Sequence, residues 1–102
     1  MTDSVQPTEV SVAPGGALDF AAVPGVWGDV GARFVQGAVI RVDLAGVTDI
    51  DSAALAMIVD WVGQAERTGA RLVLERVPPK LVSLARISEL EDLLGRVSEG
   101  VS

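Results

Sequence analysis

The sequence predicts an α/β fold, a small mixed β-sheet with helices packed mainly on one face. Three observations predict it. Residues 39–44, 52–68 and 71–77 read as strand, helix and strand, the spacing of a βαβ unit with a right-handed crossover. A chain of 102 residues supports one core in two layers and leaves no room for a second domain. Apolar residues make up 49% and charged residues 22%, so a packed core is expected rather than disorder.

In chain order, residues 1–8 read as a flexible tail. Glu9 to Ala13 alternates polar and apolar, the period of a half-buried strand. Pro14-Gly15-Gly16 is a turn signal, and Ala17 to Phe20 is expected to return as the second strand of a hairpin. Pro24 opens a short helix that carries Val26, Trp27, Val30 and Phe34 at helical spacing. Gly25, Gly28 and Gly31 weaken its regularity. Val39 to Leu44 is β-branched and apolar, a strand, and residues 45–51 are its exit loop. Ser52 to Thr68 is a helix, with Asp51 or Ser52 available as N-cap and Gly69 at the stop position. Arg71 to Val77 is a strand, giving about four strands in all. Pro79 starts another helix with Leu81, Leu84 and Ala85 on one face. Ser88-Glu89-Leu90-Glu91 has the form of a capping box that restarts a helix through Leu94, and Gly95 ends it. The folded domain thus spans 9–96, and 97–102 reads as a C-terminal tail.

Composition excludes several functions. Eight basic against fourteen acidic residues give a net charge of −6 and a pI near 4.4. That balance disfavours a nucleic-acid surface and a polybasic membrane patch. With no Cys there is no disulfide, thiol nucleophile or Cys-based metal site, and with no His the commonest general base and metal ligand are absent. Lys80, the only lysine, lies in Pro78-Pro79-Lys80-Leu81 rather than in a Walker A loop. No enzymatic activity and no cofactor are expected. The start of the chain is polar and acidic, unlike a signal peptide. The longest fully apolar run, Ala53 to Val59, is far shorter than the about 20 residues of a membrane span. A cytoplasmic location without direct membrane insertion is the expectation. A mean hydropathy of +0.42 suggests that some apolar surface meets a partner.

Asp49-Ile50-Asp51-Ser52 sits where a strand hands over to a helix, the edge at which ligands and partners of open α/β sheets bind. Ser52 has no base to activate it as a nucleophile. Asp49 and Asp51 alone are a weak cation signal. The bland reading makes Asp51 and Ser52 helix caps only. The helix says more. Ala54, Leu55, Ile58, Val62 and Ala65 form its core face. Beside it run Ser52, Ala56, Val59 and Gly63, a smooth line that another backbone can approach closely. Met57 and Trp61 lie on the opposite shoulder and read as core edge. Asp49, Asp51 and Asp60 flank the line and can meet basic residues of a partner.

Val42-Asp43-Leu44-Ala45-Gly46-Val47-Thr48-Asp49-Ile50-Asp51-Ser52-Ala53-Ala54-Leu55-Ala56 resembles the central motif of STAS domains, which anti-sigma-factor antagonists and sulfate transporters share. Ser52 matches the serine or threonine that is phosphorylated in the antagonists, and Asp51 the acid before it. Ala54 departs from the glycine of many members. Leu55 to Trp61 and Leu81 to Leu94 resemble the MlaB-like branch. That resemblance implies a STAS-like fold over 9–96. It also implies a subunit that binds and supports the ATPase (MlaF-like) of a phospholipid-transport ABC complex. The chain would then lie in the cytoplasm, peripheral to the inner membrane through that complex. The alternative it implies is an anti-sigma-factor antagonist, bound by an anti-sigma factor kinase and switched by phosphorylation of Ser52. The implied interface is Ser52, Asp49, Asp51, Ala56, Val59 and Gly63.

Overall fold

The computed structural model describes residues 9–99, and the tail expected at 1–8 lies outside the described residues. A parallel sheet runs in the order β1 (Glu9–Val12), β3 (Val39–Asp43), β5 (Arg71–Glu75) and β6 (Ser98–Glu99). A second parallel pair joins β2 (Gly16–Leu18) to β4 (Val47–Ile50). Four helices complete the fold: α1 (Val23–Gly31), α2 (Ser52–Thr68), α3 (Pro79–Ile87) and α4 (Glu91–Val97).

The strand–helix–strand unit forms as its pattern dictates. β3 and β5 pair in parallel from Val39 opposite Arg71 to Asp43 opposite Glu75, with α2 as the crossover. Alternation sorts the faces. Ile40, Val42, Leu72 and Leu74 point into the core with the buried face of α2. Val39, Arg41, Asp43 and Glu75 occupy the other face and stay half-exposed. A parallel sheet is usually covered on both faces. Here ion pairs serve the open one: Arg41 reaches Glu9 at 3.0 Å and both Glu75 and Glu99 at 3.3 Å.

Asp51 caps α2, accepting from the Ala53 N–H, and Gly69 closes the helix at φ +76°. All five residues assigned to the core face of α2 are buried. Met57 and Trp61 are each only 1% exposed, so they belong to the core proper rather than its edge. The Trp61 ring meets Phe34 at 6.5 Å between centroids, where α1 and its exit pack on α2.

Several expectations are corrected. The hairpin does not form: β1 pairs in parallel with β3, while β2 crosses away to pair with β4. The expected antiparallel component of a mixed sheet is therefore absent among the described strands. Pro14-Gly15-Gly16 does redirect the chain, but onto Gly46, whose carbonyl accepts from the Gly16 N–H at 3.0 Å. The loop expected at 45–51 consequently contains β4. The capping box does not form either. Leu90, not Ser88, stands at the N-cap of α4, and Glu91 bonds Arg86 at 3.1 Å instead of closing the box. Gly95 lies inside α4, which continues to Val97. Ser98 and Glu99, within the stretch expected as a tail, pair with Leu74 and Glu75.

Candidate functional site

The β4–α2 junction is built by three carboxylates that are drawn to three different elements. Asp49, at the end of β4, accepts from Lys80 Nζ at 2.7 Å, which ties the junction to α3. The same oxygen takes the Ile50 N–H at 2.9 Å. Asp51 uses both oxygens: Oδ1 accepts from Ala53 N at 2.9 Å and Oδ2 from Phe20 N at 3.1 Å. It thereby fixes the head of α2 against the β2–α1 loop. Asp60, two turns on, accepts from the Trp27 indole N–H at 2.8 Å and from Gln64 Nε2 at 2.6 Å, clasping α1 to α2.

These partners set the electrostatics. The Lys80 ammonium, then the Ile50 N–H, hold the Asp49 carboxyl below the usual carboxylate range. The Trp27 indole, then Gln64, do the same for Asp60. Asp49 and Asp60 are thus ionised near neutral pH, and Asp51 is engaged as an acceptor through both oxygens. Asp49 and Asp51 serve separate elements and do not converge on a common point. Among the described residues, no group of three or more carboxylates is placed to hold a metal ion.

Ser52 is exposed at the first position of α2, and because Asp51 takes the capping role its hydroxyl is not engaged as the cap. Ala56 is exposed as well, and Val59 and Gly63 are half-buried. The four lie on one open line of α2, between the flank clasped to α1 and the flank that packs on α3. Arg67 lies back over the far end, where a Cβ on Gly63 would meet its guanidinium at 3.0 Å. Asp49 and Asp51 stand at the near end and Asp60 beside the middle.

Two features escape the sequence reading. Lys80 is the cation that pairs with Asp49, a pairing 31 residues apart that nothing in the local sequence signals. Phe20 is left 83% exposed and faces Trp27 across an open apolar groove. Helical spacing groups Trp27 with Val26, Val30 and Phe34 and carries no sign of this groove.

The fold recurs in known structures. The chain superposes on the anti-sigma factor antagonist SpoIIAA in its unphosphorylated form with a TM-score of 0.71 and 19% identity, covering 98% of this chain and 85% of that one. It superposes on the STAS domain of a SulP transporter from Vibrio cholerae with a TM-score of 0.59 and 14% identity, covering 96% and 77%. The parallel sheet and the four helices on this pattern define a STAS domain. A family model described as "Mlab, STAS domain" matches residues 1–95, and the chain belongs to that family. No curated protein matches it. STAS domains are in general regulatory or accessory domains rather than enzymes. Among the described residues, no helix is long and apolar enough to cross a membrane.

Proposed function

We propose that this chain is a non-enzymatic accessory subunit that binds and supports the ATPase of a phospholipid-transport ABC transporter of the Mla type. The family match over residues 1–95 carries the reading. In it, Ser52, Ala56, Val59 and Gly63 form the docking line, and Asp49 and Asp51 frame its start. The exposure of Ser52 and Ala56 supports this assignment. So does the smallness of the side chains, which lets a partner backbone approach. The subunit then works at the cytoplasmic face of the inner membrane, held there by the transporter.

A second reading has its own observation. The Ser52 hydroxyl, exposed at the head of α2 and not used as the cap, suits a phospho-switched anti-sigma-factor antagonist bound by its kinase.

Affinity purification of the tagged chain from its own cells separates the two. The expected result is an ABC ATPase retained by the wild-type chain and lost from Ser52→Arg, a weakening of about 2 kcal/mol or more if the site is central. Retention of a serine kinase, with a stoichiometric phosphate on Ser52 by intact mass, overturns the first reading in favour of the second.

A further inference from the structure

We propose that the groove between α1 and the head of α2 receives a basic partner segment, which inserts a bulky apolar side chain between Phe20 and Trp27. The groove has a volume of about 400 Å³ and is walled by Phe20, Val23, Pro24, Trp27, Gly28 and Ala53. That volume lies in the range of formed ligand sites.

One wall is pre-set: Asp60 holds the Trp27 indole N–H at 2.8 Å, while Asp51 anchors only the Phe20 backbone, through its N–H at 3.1 Å. A fixed aromatic wall binds at a smaller ordering cost than a mobile one. An aromatic ring left 83% in water gains most from being covered.

Charge selects the occupant. The lining runs from Phe20 to Gly28 and includes Ala53, and it contains no lysine or arginine. Asp19, Asp29 and Asp51 adjoin it in sequence, and Asp60 holds its Trp27 wall. The nearest basic residues in sequence, Arg33 beyond the end of α1 and Arg67 in the last turn of α2, lie off the lining. An apolar slot in an acidic neighbourhood fits an apolar anchor flanked by lysine or arginine, and steers its approach. A second copy of this chain, with its net charge of −6, meets the same field as a repulsion. The groove also adjoins the docking line, since Ala53 and Asp60 are helical neighbours of Ala56 at i+3 and i+4 spacing. The inference rests on the reading of the chain as a docking module and adds the chemistry of what docks.

The test uses the full chain and a short blocked peptide with a leucine–phenylalanine centre between lysine pairs. One control peptide replaces the lysines with glutamate, and another replaces the centre with serines. Amide and indole NMR shifts report the site. Saturable shifts at Phe20, Gly28, Ala53 and the Trp27 indole are expected with the first peptide alone. Gly28→Leu should weaken binding at least about tenfold by filling the slot, because a Cβ at Gly28 meets no atom within 4 Å and the fold is spared. Gly25→Leu, on the same helix but off the groove, should leave binding unchanged. Equal binding of the glutamate peptide marks the groove as a site for an uncharged apolar ligand and overturns the proposal. Absence of saturable shifts at the groove with the lysine peptide also overturns it. Loss of binding in Ser52→Arg but not in Gly28→Leu places the peptide on the docking line. That result overturns the groove while leaving the docking module standing.

Discussion

Replacing Asp51 by alanine tests how the head of α2 is held and whether Ser52 is free. The carboxylate makes two bonds, 2.9 Å to Ala53 N and 3.1 Å to Phe20 N. Loss of an N-cap costs about 1 kcal/mol. The bond to Phe20 is charge-assisted but solvent-exposed, so water replaces much of it and roughly another 1 kcal/mol is lost. The sum is about 2 kcal/mol, or a fall in Tm of about 10 °C for a domain of this size. Asp51→Asn separates the two bonds. Asparagine caps as well as aspartate through its one oxygen, but its NH₂ then faces the Phe20 N–H, donor against donor. Half the loss is expected. Ser52→Ala should shift stability by less than about 0.5 kcal/mol, because Ser52 is exposed and is not the cap. Thermal unfolding by circular dichroism at pH 7 measures all three. An Asp51→Ala protein as stable as wild type, or a Ser52→Ala protein equally damaged, refutes the reasoning. In the second case Ser52 would be the cap, and its hydroxyl would not be available to a partner.

Other outcomes follow from the same geometry. Trp61→Ala, which empties a site only 1% exposed, should cost about 3–5 kcal/mol in urea unfolding. Gly63→Leu should fold, since the clash at 3.0 Å is with the movable end of Arg67, yet it should fail to retain the ATPase in the pull-down. Ser88→Ala should leave the Tm nearly unchanged, because the capping box it would belong to does not form. Acid should destabilise the domain in a defined window. Asp43 is held below the carboxylate range by Arg76 and the Ala45 N–H, Asp49 by Lys80, and Asp60 by Trp27. A lowered folded pKa contributes stability above the unfolded value of about 3.9, and that stability is lost as pH falls through the folded values. The Tm should hold from pH 7 to 5 and drop below about pH 4, and Asp60→Asn should blunt the drop.

The unit from Val39 to Glu75 was legible because period and punctuation agree in it. Ile40 and Val42 alternate with Arg41 and Asp43, α2 repeats at helical spacing, and Asp51 and Gly69 mark its ends. Strand pairing was not legible in the same way. The alternation of Glu9 to Ala13 marks a strand but carries no label for its neighbour, and Gly16–Leu18 finds its partner beyond Gly46. The capping box failed because Ser88 closes α3 and Glu89 turns at φ +59°, so α4 starts at Glu91, which is then its first residue and not the third that a box needs. At the site, the cap and the open line on α2 could be read from local spacing. The ties from Asp49 to Lys80 and from Asp60 to Trp27 span 31 and 33 residues, and only the folded chain brings them together.

The central claim is that a partner ATPase docks on the open line of α2. A photo-crosslinking side chain placed at Ala56, or as a contrast at Ser11 in the edge strand β1, tests it most directly, since both positions are exposed. Irradiation in cells, followed by mass spectrometry of the adduct, should join Ala56 and not Ser11 to the ATPase subunit of an ABC transporter. An ATPase adduct from Ser11 alone, or an adduct at Ala56 with a different class of protein, would contradict it.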